Sequence, residues 1–373
     1  VFRLTTYDGL PVQIVRILFS ICRKQKIVTY KENLMKAVKL ISLLLVVVLT
    51  TMLIGVGVAY PQDGEEEEEE KYCTEEVRAE LEDQDIYIPV ISKGFQHQFW
   101  QAVKKGAEMA AEDCGVTITF EGPETEAMVD KQLDMLQTAL DKGPDAIVFA
   151  ALDSKAAIPL LERAQEEDIP VIAFDSGVDS DIPLATAATD NVAAAALAAD
   201  MMAELIGGEG QVAIIAHDQT SRTGIDRVDG FTARIEEEYP DIEIVDTQYG
   251  GGDQLKSTDL AKAIILAHPD LKGFFGANEG SIIGVLNAVV ELQMEGKIVV
   301  IGYDSGVQQM EAIKAGIEAG AITQNPVGIG YKSVEAAVMA LMGEELEPNI
   351  DTGFFWYDAE NIEAEEIVPL LYE

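Results

Sequence analysis

IYIPVISKGFQHQFWQAVKKGA (residues 86–107) opens as an apolar run and passes, after a polar turn, into small and apolar residues at helical spacing. The turn carries a glutamine, a histidine and two adjacent aromatics, so it either staples the helix from beneath or builds one wall of a site. From residue 86 onward the chain repeats this strand-to-helix change. Candidate strands are 86–91, 116–120, 145–150, 170–174, 211–216, 242–245, 273–277 and 297–302, separated by helical segments such as VDKQLDMLQTALDKG and NVAAAALAADMMAELIGG. That alternation implies parallel sheets covered by helices on both faces. Eight strands exceed one small sheet, and either a barrel or two successive α/β domains could use them.

Polar and aromatic residues follow many of these strands. His97, Phe99 and Trp100 follow the first and Asp175-Ser176 the fourth; His217-Asp218, then Arg222 and Arg227, follow the fifth; Asn278-Glu279 and Tyr303-Asp304 follow the last two. In open α/β sheets ligands sit beyond the carboxyl ends of the strands, so these groups are expected to converge. Asp175 and Asp304 accept hydroxyl protons, Asn278 and Gln324 donate and accept, Arg227 offers a fixed fork of donors, and Phe99 and Trp100 supply flat apolar area. A small polyol with an apolar ring face, a sugar, matches that mixture, whereas the carboxylates oppose an anion.

Charge bounds the partners. The net charge is −40; residues 1–60 hold 8 Lys and Arg against 2 Asp and Glu, and the remainder holds 18 against 64. Nucleic-acid binding needs clustered cations and is not expected. The excess acid reads as a hydrated surface suited to salt, since no Asp-x-Asp-x-Asp-Gly calcium loop occurs. Residues 40–59, LISLLLVVVLTTMLIGVGVA, follow Lys36 and Lys39 and end in small residues, as an export signal does; about 20 apolar residues also suffice for an uncleaved anchor. Residues 1–34 read as an extension upstream of a start at Met35. Residues 61–85, with six glutamates at 65–70, read as an acidic disordered tether. Cys22 falls in the extension, and a bridge between Cys73 in that tether and Cys114 at a helix end is not expected.

The strand, polar turn, paired aromatics and helix of SKGFQHQFWQAVKKGA, the aspartates of VIAFDSG and IGYDSG, TDNVAAAA, Arg227 in DRVDGF, GANEG, and the glutamine of AITQNPVGIGYKSVEAA together resemble the periplasmic sugar-binding proteins of ribose-binding type. These are solute receptors of ABC importers that share their fold with the ligand domains of LacI-like repressors. The resemblance covers nearly all of residues 86–345. It implies two similar doubly wound parallel-sheet lobes, 86–189 with 325–352 and 190–324 with 353–373, joined by three crossings near 189–190, 324–325 and 352–353. It makes Phe99 and Trp100 stacking aromatics and Asp175, Arg227, Asn278, Asp304 and Gln324 hydroxyl partners.

There are three departures from the ribose pattern. His97 stands where that pattern has an asparagine, Ser176 where it has an arginine, and glycines of QYGGGD (residues 248–253) where it has an aromatic. Arg222 is a candidate for the missing cation. The expectation is an exported, monomeric receptor, periplasmic or on the outer face of the membrane, that closes on a sugar and docks on a permease driven by a separate ATPase; no cofactor is implied.

An enzyme lacks support, with three histidines and no H-E-x-x-H, C-x-x-C or G-x-S-x-G. A DNA-binding regulator would need a basic helix-turn-helix before residue 86. A sugar receptor for a chemotaxis or sensor protein would leave the same site. GGGD (residues 250–253) and NPVGIG (residues 325–330) read as loop and hinge, not phosphate cradles, and Trp356 is expected to pack on a lobe.

Overall fold

The computed structural model describes residues 71–81 and 84–372. The apolar run 40–59 read as an export signal, residues 1–34 read as an extension, and the glutamate run lie outside the described residues. β1 (Tyr87–Ile91) is buried over four of its five residues and pairs in parallel with β2 (Thr117–Glu121) and β3 (Ile147–Phe149), as a near-continuous apolar run demands. β4 (Val171–Phe174), β5 (Ala185–Ala188) and β11 (Asn349–Asp351) complete a six-stranded parallel sheet of order β11-β5-β4-β3-β1-β2. The second sheet contains β6 (Gly210–Ala216), β7 (Ile242–Tyr249), β8 (Leu271–Gly276), β9 (Val299–Tyr303), β10 (Gly320–Gln324) and β12 (Phe354–Tyr357). Its order, β12-β10-β9-β8-β6-β7, repeats the first sheet position for position, and only the edge strand β12 runs antiparallel. Two α/β lobes of one topology result, not a barrel.

The chain passes between the sheets three times: from β5 into α5 (Asn191–Ile206), from β10 into α10 (Pro326–Leu341), and from β11 into β12. Helix starts carry side-chain caps that fix these entries. Asp190, Ser221, Asp253, Asn278 and Asn325 each accept a backbone N–H of the first turn. α10 returns to lobe one and lies against α2 (Gln98–Cys114) at a crossing where backbones touch. A Cβ on Gly106 would fall 1.9 Å from the Val327 carbonyl oxygen, and one on Gly330 equally close to that of Val103. The two glycines thus hold the hinge end of α10 beside the aromatic start of α2.

The segment before β1 corrects two expectations. Residues 75–81 form a helix, α1 (Glu75–Leu81), whose Leu81 is buried in the lobe-one core, and Cys73 is bonded to Cys114. Lys71 Nζ reaches Asp113 at 2.8 Å and lies 4.9 Å over the Tyr331 ring, while the Tyr72 N–H donates to Glu335 at 2.7 Å. The acidic composition had argued for a solvated tether, but Cys73, Val77 and Leu81 recur every four residues and give this stretch an apolar stripe to bury. Ordering by that stripe brings Cys73 to the end of α2, where the bridge forms.

Candidate functional site

Between the lobes lies a small chamber with about 280 Å³ of atom-free space. Lobe one lines it with His97, Phe99, Trp100 and Asp175; lobe two and its hinge strand supply Arg227, Asn278, Asp304 and Gln324. Eight of the nine residues singled out from sequence therefore meet around one space. Each stands at a strand end or in the first turns of the helix that follows, and each is at most 5% exposed.

The two aspartates occupy equivalent places. Asp175 ends β4 in FDSGV and Asp304 ends β9 in YDSGV; both have left-handed backbones, at φ 54° and 83°, and both donate their N–H to the neighbouring strand, to Ala187 and Ile322. Aspartate tolerates this conformation better than most residues. It turns each carboxylate toward the chamber.

Lobe two holds its groups by mutual hydrogen bonds. Asp304 accepts from Gln324 Nε2 at 2.6 Å and from the Glu279 N–H at 2.8 Å, and Gln324 Oε1 accepts the Thr189 hydroxyl at 2.9 Å. Arg227 lies 3.7 Å over the Tyr303 ring and donates to Asn191 Oδ1 at 2.7 Å and to the Ala277 carbonyl at 2.9 Å, which fixes the guanidinium plane. Asn278 spends its oxygen capping α8 (Glu279–Glu291), and its NH₂ has no protein partner.

In lobe one the chemistry reaches beyond the expected set. Lys93, 2% exposed, donates to Thr223 Oγ1 of the other lobe at 2.8 Å. Trp100 Nε1 donates to the buried Glu126 at 2.8 Å while its ring meets Phe99 and Phe174 edge-on. Burial pushes the Glu126 carboxyl up, but Lys93 and His97 outweigh it and leave the group below its usual range. Burial also lowers His217 to about 3, so its ring is neutral and shares Thr223 Oγ1 at 3.1 Å. Asp175 differs from both. Burial, opposed by Lys93 and Arg227, raises it to about 6, and its carboxylate has no protein hydrogen bond.

Arg222 does not reach the chamber. It pairs with Asp226 one turn along its own helix and approaches Asp179 of lobe one at 3.6 Å, in a separate cleft. The cation it was expected to supply is Lys93, which stands in the opening stretch but looked like an ordinary turn lysine. Glu126 and Thr223 also line the chamber, although no strand-end signal marks them. His217 and Glu279 had the signal of following strands directly, whereas Glu126 lies in a loop with none. The glycines at 250–252 find their partner in lobe one: Gly252, at φ 68°, accepts Gln96 Nε2 at 3.1 Å, and a Cβ there would meet Gln96 at 2.9 Å and His97 at 3.2 Å. Trp356, in β12, packs across Gly320 of β10, away from the chamber.

Other hydrogen bonds also cross between lobes. Glu279 accepts the Gln98 and Phe99 N–H groups at the start of α2 at 3.3 and 3.4 Å, Gln98 Oε1 accepts the Val307 N–H, and Ser154 N–H donates to Thr220. A carboxylate at a helix N-terminus is favourably placed. The lobes are closed on one another. Among the described residues no group of His, Cys, Asp and Glu is arranged to hold a metal ion.

Residues 88–345 match the family described as periplasmic binding protein domain. The D-allose-binding periplasmic protein of Escherichia coli (strain K12) is 29% identical over 259 residues, which are 67% of this chain and 83% of that protein. An ABC transporter solute binding protein from Agrobacterium vitis with bound D-fucose matches at 34% identity and a TM-score of 0.74, over 77% of this chain and 100% of that one. A carbohydrate transporter solute binding protein from Agrobacterium radiobacter in complex with D-arabinose matches at 30% and 0.75, over 78% and 99%. Because the family match runs from β1 through α10, and so takes in every strand that carries a chamber residue, the chain belongs to the periplasmic binding proteins.

Proposed function

We propose that this protein is an extracytoplasmic receptor that captures a monosaccharide between its lobes and delivers it to an ABC-type permease. One observation carries the reading: in a chamber between the lobes two strand-end aspartates, an oriented guanidinium and two amide side chains converge beside aromatic walls. Hydroxyl groups would donate to Asp175 and Asp304 and accept from Arg227, Asn278 and Lys93, while an apolar ring face would lie on Phe99 or Trp100. Sugars named for the relatives, D-allose, D-fucose and D-arabinose, are the first to test.

The ligand works by favouring the closed form, in which Glu279 and Lys93 bridge the lobes, so closure and not catalysis is the output. Both chamber walls come from one chain, which supports a monomeric receptor. The Cys73–Cys114 bridge supports an oxidising compartment outside the cytoplasm. Delivery needs a separate ATPase, since the sequence has no G-x-x-x-x-G-K-[ST].

Thermal unfolding of the purified chain against a pentose and hexose panel tests the reading. A sugar present at about a thousand times its dissociation constant adds roughly 4 kcal/mol. Absence of any shift from a folded sample overturns it.

A further inference from the structure

A second, larger cleft lies beside the hinge, with about 1070 Å³ of atom-free space. Asp175 lines both spaces. Elsewhere the wall between them is one layer of paired side chains, with Gln324 on the chamber side bonded to Thr189 on the cleft side and Arg227 likewise bonded to Asn191. The Asp175 carboxylate is 5% exposed, has no protein hydrogen bond and marks where the two spaces adjoin. The cleft is rich in hydrogen-bond acceptors. Asp190, Asp226 and Asp351 each use one carboxylate oxygen, on Ala193 N–H, Arg222 and Gly353 N–H respectively, and their second oxygens carry no hydrogen bond to protein.

We propose that the cleft is an accessory subsite for a substituent on the sugar, so that the protein takes glycosides whose appended group is rich in hydroxyl or amino donors. The proposal rests on the sugar-binding reading of the chamber. The sugar ring occupies the chamber with one hydroxyl position directed at Asp175, and the linked group leaves past that carboxylate into a space lined by acceptors from both lobes and the hinge. An anionic substituent is opposed there, with Arg222 already paired.

Calorimetric titration of the full chain tests this with D-allose, D-ribose, D-fucose and D-arabinose and with the methyl and glucosyl glycosides of each. At least one glucosyl glycoside is expected to bind within tenfold of its parent sugar. Gly177→Leu fills the cleft from lobe one; a Cβ at Gly177 meets only Thr186, at 3.7 Å, and no φ constraint applies. It should weaken the glucosyl glycoside at least tenfold and the parent sugar less than twofold, and Asp226→Asn from lobe two should repeat the pattern more mildly. Glycosides bound more than a hundredfold more weakly than their parents, or equal losses for both ligands in the two variants, overturn the subsite and leave the chamber reading intact. No binding by any sugar overturns both.

Discussion

FDSGV at residues 174–178 and YDSGV at 303–307 are nearly the same sequence in the same place of two matching sheets, yet they are finished differently. In lobe two Asp304 is tied by Gln324 and the Glu279 N–H, and the Ser305 hydroxyl bonds Thr323. In lobe one the Asp175 carboxylate has no protein hydrogen bond, and the buried Ser176 hydroxyl has no partner. Lobe two is thus assembled in advance, while lobe one leaves its acceptor open. A carboxylate held by two protein donors costs little to orient, and one left free is the group whose state a ligand changes.

The largest effect is expected from reversing donors at the tied aspartate. Asp304→Asn keeps the left-handed backbone but sets an NH₂ against a donor; it should weaken sugar binding at least about a hundredfold and lower stability by about 3 kcal/mol. Asp175→Asn should weaken binding without that stability loss, and equal losses in denaturant titration would erase the distinction.

Next comes the feature that only lobe one possesses, the bridge from Cys73 across 41 residues to Cys114. By loop entropy Cys114→Ser should cost about 4 kcal/mol in chemical unfolding while leaving sugar affinity within a few-fold.

The third test is pH. Asp175 is raised in the folded chain from an ordinary 3.8 to about 6, so the folded state holds a proton that the unfolded state has lost between those values. Stability from this group is full below pH 4 and fades as pH rises through 6, by about 2 to 3 kcal/mol, and Asp175→Asn should remove that slope. Sugar hydroxyls favour the ionised form, so affinity should run the other way and fall as pH drops below 6. The smallest effect belongs to the hinge: Thr189→Val removes the hydroxyl that Gln324 accepts and should weaken binding by about 1 kcal/mol, read by calorimetry.

The eight strands read from sequence appear as β1–β4 and β6–β9, because their β-branched and aromatic runs are read locally. β5 (ATAA) and β11 (NID) had no such signal; alanines and polar residues become strands only where a sheet edge is offered to them. The same division holds in the site. Residues at strand ends, such as Asp304, followed from topology, while Glu126 sits in a loop and is fixed by the Trp100 indole, a long-range bond that local pattern does not carry. In residues 71–81 the acidic charge masks the four-residue apolar spacing of Cys73, Val77 and Leu81, which is the signal that orders the segment.

The segment from Lys71 to α1 sets the mechanical frame of the protein. Lys71, Tyr72 and Cys73 are fastened to Asp113, Glu335 and Cys114, all on the two lobe-one helices. Whatever holds residue 71 therefore shares the coordinates of lobe one. Opening and closing are then the travel of a single arm, lobe two, against a stator, and a distance probe between residue 71 and lobe two would report occupancy where one placed on lobe one would stay silent.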